Sequence, residues 1–186
     1  MPHIYGGYYG LSVAIFGIGV GINVVYKNYT KSVTLATKDE LEPELIELIK
    51  KKTSLNPMCT SYSMPVNVHN ATPKLIAESM FSSWVIAPEQ FILWLLLRSY
   101  KPLPITEGKS VFGMFKVEVD NPEKVVLHWE LGGLAGLHVF SVKNNVAVFD
   151  TIFWYAKDPP SLLLNFHDVY SETLLAAAVK QLEKSP

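Results

Sequence analysis

Hydrophobic and polar residues alternate along this chain in three rhythms. From Ser110 to Ala156 the period is two, so SVFGMFKVEV, KVVLHWEL, GLHVFSV and VAVFDTIFWY read as four strands. Asp120-Asn121-Pro122, Gly132-Gly133 and Asn144-Asn145 supply the turns between them. Successive strands with short turns predict an antiparallel meander. In KVVLHWEL, Val125, Leu127, Trp129 and Leu131 share one face, and Val126, His128 and Glu130 share the other. The first set wants a core, so the sheet is expected to have one dry side.

The second rhythm is helical. KDELEPELIELIKKK, Lys38 to Lys52, places Leu41, Leu45, Leu48 and Ile49 on one face, with acids early and three lysines last, as the helix dipole favours. Thr37 and Glu40 have capping-box spacing, while Pro43 marks an alternative, later start. Ser61 to His69 reads as an edge strand carrying Pro65. Thr72 or Asn70 then caps a helix through Trp84, and Pro88 starts another that runs to about Tyr100. Its run FILWLLL is too short to cross a bilayer and reads as a buried core helix. After Asp158-Pro159-Pro160-Ser161 a long helix runs to about Lys184, with Leu163, Phe166, Tyr170, Leu174, Ala178 and Leu182 in one stripe. That stripe is expected to lie across the dry side of the sheet.

The third pattern is an absence of charge. Tyr8 to Tyr26 is 19 residues with no charged side chain. Gly17, Gly19 and Gly21 invite a dinucleotide-loop reading, but G-x-G-x-x-G needs its third glycine at 22, where Ile22 stands, and the later strands are grouped rather than alternating with helices. As a helix rising ~1.5 Å per residue the stretch would cross most of a ~30 Å hydrocarbon core. Tyrosines stand at both ends, and Gly10, Ala14, Gly17 and Gly21 line one face where a second helix could pack closely. The stretch is therefore expected to be a transmembrane helix rather than a cleaved leader. Lysines follow the span and none precedes it, so the positive-inside rule places the C-terminal domain in the cytosol, on the endoplasmic reticulum or the mitochondrial outer membrane. The expected organisation is a tail over 1–7, a transmembrane helix over 8–26, a juxtamembrane stalk over 27–57 and a folded domain over 58–186.

Composition narrows the function. The 186 residues carry a net charge of −1 and a single arginine, Arg98, which argues against a nucleic-acid partner. One cysteine, Cys59, excludes an internal disulfide and any multi-cysteine metal site.

The order of strand, two helices, antiparallel strands and long terminal helix, with GMFKVE, VVLHWEL and HVFSV before that helix, resembles the START-like (helix-grip, SRPBCC-type) superfamily, and an uncharacterised group within it. The resemblance covers about residues 58–184. It implies an α+β fold in which an antiparallel meander wraps a long C-terminal helix and encloses an apolar cavity. Six or seven strands are usual there, and five are counted here. The implied function is binding of a lipid-like or other hydrophobic small molecule, with no cofactor and no metal. The competing reading is a non-catalytic assembly or scaffold membrane protein, a homo- or hetero-oligomer pairing through Gly10, Ala14, Gly17 and Gly21.

Leu127, Trp129, Asp150, Phe166 and Tyr170 are the candidate ligand-binding residues. Asp150 interrupts an apolar strand. A two-residue turn at Asn144-Asn145 points it inward beside Ser141, and a three-residue turn points Thr151 inward instead. With a loop over Gly132–Gly136, Glu130 would face His138 as an outward cross-strand pair. No HExxH, nucleophile elbow or inward acid–base pair is legible, so the chain reads as non-catalytic more readily than as an enzyme.

Overall fold

The computed structural model describes residues 30–37, 41–87, 90–91, 94, 105–131, 133–155 and 161–184. Its elements, in chain order, are β1 (Thr34–Thr37), α1 (Pro43–Lys52), β2 (Met58–Pro65), α2 (Pro73–Ser82), β3 (Ser110–Val111), β4 (Phe115–Asp120), β5 (Lys124–Leu131), β6 (Leu134–Lys143), β7 (Val146–Tyr155) and α3 (Ser161–Lys184). The fold is α+β. Seven strands form one antiparallel sheet in the order β1-β2-β7-β6-β5-β4-β3, so β3 to β7 run as a meander and β2 closes onto the last of them. The two strands missing from the sequence reading are β1 and β3. The first lies in the segment expected to be a stalk. The second falls in the run SVFGMFKVEV, expected as one strand, which Phe112 and Gly113 break by turning to φ 53° and 71°.

Turn chemistry fixes the register. Asn144 and Asn145 both adopt positive φ, the pairing that suits the twist of a two-residue hairpin. Leu131 pairs with Leu134, so the preceding turn also has only two residues. One face, here the inner face, carries Tyr62, Val117, Val125, Leu127, His138, Phe140, Phe149 and Thr151. α2 and α3 cover it, packed on one another, and form the larger core with these strands. From Thr173 to Val179 every residue of α3 is buried, and three of these, Ala176, Ala177 and Ala178, are alanines that let the helix sit close to its neighbours. α2 starts as expected, with the Thr72 hydroxyl accepting from the Leu75 amide at 3.2 Å and Pro73 in the first turn.

The outer face is not wet. Val126, Leu137, Val139, Ile152 and Trp154 form a second core with Leu45 and Ile49 of α1. This corrects the expectation of a single dry side. The cause is α1 itself, which follows β1, a paired strand of the sheet, and folds back over it. Ion pairs hold both ends of α1. Near its start, Lys124 Nζ lies 2.8 Å from Glu42 Oε2 and 2.7 Å from Glu44 Oε2. At its end, Lys52 Nζ lies 2.6 Å from Glu118 Oε1. Glu118 occupies the register shift between Val117 and Val119, and a bulge of that kind re-aims a side chain. Residues 27–57, read as a stalk, thus contribute β1 and α1 to the folded unit.

The expected membrane span Tyr8–Tyr26, with its small-residue face, lies outside the described residues. No helix among the described residues is long and apolar enough to cross a membrane. Of the helix expected over 88–100, the described positions Gln90, Phe91 and Trp94 are helical.

Candidate functional site

Three adjacent central strands each turn a polar side chain to the inner face: Trp129 on β5, His138 on β6 and Thr151 on β7. His138 pairs directly with Thr151, and Trp129 lies opposite Gly136 on the same strand as His138. α3 brings His167 over them. The Trp129 and His138 rings are 5.8 Å apart between centroids. Phe115 lies 5.8 Å and Phe149 5.2 Å from His138, and His167 lies 4.7 Å from Phe153. Thr151 is fully buried, and His167 is 9% exposed.

Four polar atoms of this set are sealed from solvent and have no hydrogen-bond partner among the described residues: Trp129 Nε1, His138 Nδ1, Thr151 Oγ1 and His167 Nδ1. Buried polar atoms are nearly always paired, and leaving one unpaired costs ~1–3 kcal/mol. Three of them lie on the inner face of the sheet and the fourth, on α3, faces them, with Phe115, Phe149 and Phe153 close by.

Burial, with the charge of His167 second, pushes the His138 imidazole from 6.5 down to about 3. The ring is therefore neutral at ordinary pH, with one N–H and one bare nitrogen. By surface, His138, Trp129 and Tyr170 are each half-buried. At the same end of the sheet Leu131 and Leu134 are half-buried too, whereas Val125, Phe140 and Ala147 at the other end are fully covered.

A second polar contact closes the α3 side. Tyr62 donates its hydroxyl to Asp168 Oδ1 at 2.8 Å. Burial, reinforced by that carboxylate, drives the Tyr62 phenol above its ordinary range. The His167 imidazole and the Tyr62 hydroxyl together hold Asp168 below its ordinary value. His167 Nδ1 stands 4.0 Å from Asp168 Oδ1, beyond hydrogen-bond reach. Gly136 is a floor to the site: a Cβ there would meet the Ile152 carbonyl oxygen and come within 2.9 Å of Trp129 Cζ2. The indole lies flat in the space that the missing side chain leaves.

The chain matches no family model, no characterised protein and no solved structure. The site therefore rests on its own geometry.

Of the residues expected from sequence, Leu127 is fully buried in the inner core, and Trp129 and Tyr170 pack against that core. Phe166 is half-buried, and the residue of α3 aimed at the β7 aromatics is its neighbour His167. Asp150 is buried, but on the outer face: it pairs with Val139 and accepts a hydrogen bond from Ser61 Oγ at 2.6 Å. Thr151 faces inward, although the turn has two residues. The expected outward Glu130–His138 pair does not form, since Glu130 pairs with Ala135 and His138 with Leu127. Both corrections have one cause. The assumed loop over Gly132–Gly136 displaces β6 by three residues from its true register, and an odd displacement flips every side chain of β6, and of β7 after it, to the opposite face.

Away from the inner face, Ala87, Gln90, Phe91 and Trp94 line a shallow hollow. Phe91 is 62% and Trp94 48% exposed, with Trp84 at 46% nearby in sequence. Among the described residues no group of three His, Cys, Asp or Glu is placed to hold a metal ion.

Proposed function

We propose that this protein binds a hydrophobic small molecule between the inner face of β5–β7 and the first half of α3, as a helix-grip domain of START-like type. The observation that carries the reading is the set of four buried polar atoms without a hydrogen bond among the described residues, on Trp129, His138, Thr151 and His167, beside Phe149 and Phe153. The architecture supports it, because a long C-terminal helix across an antiparallel meander is the arrangement in which such domains hold apolar ligands. Leu127, Trp129 and Tyr170 would line the site.

We further propose that the domain works at a membrane, anchored by Tyr8–Tyr26 with the domain in the cytosol at the endoplasmic reticulum or mitochondrial outer membrane. The uncharged run supports this, and so do the exposed Trp84 and Trp94, whose amphipathic rings suit an interfacial position, with the exposed Phe91 ring against Trp94. Gly10, Ala14, Gly17 and Gly21 would then present a face for helix pairing.

The test is titration of the purified full chain with a fluorescent long-chain apolar probe, read by energy transfer from tryptophan. Saturable binding, weakened at least about tenfold by Trp129→Ala, is expected, since that side chain supplies both wall and donor. Unsaturable partitioning, or equal binding by the variant, would overturn the site.

A further inference from the structure

Resting on the reading of the inner face as a ligand site, we infer that its ligand carries a neutral oxygen head, a hydroxyl or ketone on an apolar body, rather than a carboxylate, phosphate or amine. The argument begins with where the strands send their charges. β5, β6 and β7 carry four charged residues, Lys124, Glu130, Lys143 and Asp150. The register turns all four to the outer face, opposite or beside partners such as Ser141, Ala135 and Val139. The inner face of these strands thus holds no lysine or arginine to balance an anion and no carboxylate to balance a cation, and the His167 imidazole that faces it stands 4.0 Å from the Asp168 carboxylate.

An unbalanced charge in such a place is expensive. Moving an ionised head out of water without a paired charge costs several kcal/mol or shifts it to its neutral form. His138 shows the same environment acting on the protein's own group, because burial keeps its ring uncharged. Asp168, at the α3 side, already accepts from Tyr62 and would repel an anion.

The polar atoms themselves match a neutral oxygen. Trp129 Nε1 only donates, so it excludes an ammonium head and requires an acceptor. The Thr151 hydroxyl donates or accepts. A neutral imidazole offers one donor and one acceptor, and its tautomer can follow the ligand. A hydroxyl or ketone oxygen placed among them accepts from Trp129 and engages Thr151 or His138. The bare chain lies against the half-buried Trp129 and Tyr170.

The experiment is displacement of a fluorescent apolar probe from the full-length protein at pH 8 by five compounds of one chain length: an alkane, a primary alcohol, a methyl ketone, a fatty acid and an alkylamine. The alcohol and ketone are expected to bind at least about tenfold more tightly than the fatty acid and the amine. Thr151→Val should reduce alcohol affinity about tenfold towards that of the alkane, and Trp129→Phe should narrow the alcohol-to-alkane affinity ratio by a similar factor while still binding the alkane. The retained alkane binding shows that the variants are folded. Tighter binding of the acid or the amine overturns the head-group assignment and leaves an apolar site standing. Equal binding of alcohol and alkane overturns it as well. If neither the probe nor any of the five binds saturably, the ligand-site reading falls with it.

Discussion

Replacing Thr151 by valine should make the protein more stable. The hydroxyl is fully buried and unpartnered, so the native state carries its desolvation cost with no bond in return. Removing it should raise stability by about 1 kcal/mol, read as a higher urea midpoint at unchanged m-value. A loss of that size instead would mean that Oγ1 has a bond in solution. Stability given up at a buried polar group is the usual mark of a residue kept for binding. Gly136→Ala runs the other way. Its Cβ would strike the Ile152 carbonyl and the Trp129 ring, and should cost roughly 1–3 kcal/mol while shifting Trp129 emission. His138 supplies a pH signature. It titrates near 3 in the fold against an ordinary 6.5, so between those values the unfolded chain binds a proton that the folded chain refuses. Stability is then fully present above pH 6.5 and is lost as pH falls towards 3. The urea midpoint should drop between pH 7 and pH 4, and less steeply in His138→Phe. Despite its burial, Glu118 is held low by Lys52 and Lys116, and its contribution is lost only below its ordinary 4.5, overlapping the acid end of the His138 window.

α1 offers the sharpest test among the elements. Leu45 is 2% exposed against the outer face, whereas Ile46 beside it points to solvent. Leu45→Ala should cost about 2–4 kcal/mol and Ile46→Ala less than about 0.5. Equal, small effects would place α1 off the sheet. The limits of α1, α2 and α3 were legible from Pro43, from Thr72-Pro73 and from Pro160-Ser161, because caps and prolines act locally. The strands of the meander were legible from their alternation. What α1 packs against was not, since an amphipathic stripe says that a face is buried without saying on what. The inward set was lost at one turn. Gly132-Gly133 and Gly136 all look like loop glycines in sequence, but Gly136 lies within β6, where the Trp129 ring takes the place of a side chain. With that loop, a two-residue turn at Asn144-Asn145 points Asp150 inward and His138 outward, and Thr151 comes inward only with a three-residue turn. The placement of Leu127, Trp129 and Tyr170 does not depend on that register, because they lie on β5 and α3.

At the scale of the molecule, the folded unit begins before Thr34. A chain trimmed to start at Thr53 would strip β1 and α1 from the sheet and bare Val126, Leu137 and Ile152, so it should aggregate, whereas one starting at Asn28 should remain monodisperse in size-exclusion chromatography. The full chain should resist alkaline carbonate extraction, and its release would remove the anchor. Sheet order carries a further consequence, for synthesis. Ser61 meets Asp150 across 89 positions, and every rung between β2 and β7 spans a similar distance. Contacts this remote in sequence slow folding, because chain entropy is lost before they form. On the ribosome β2 emerges early, with β1 as its sole neighbour, and must wait for the whole meander before its second edge is covered. During that interval a strand that will bury Tyr62 and Met64 stands open to other chains, with amides unpaired along one edge. Emergence of β7 is therefore the commitment point of folding, and a nascent chain stalled short of Val146 should be the form that chaperones hold.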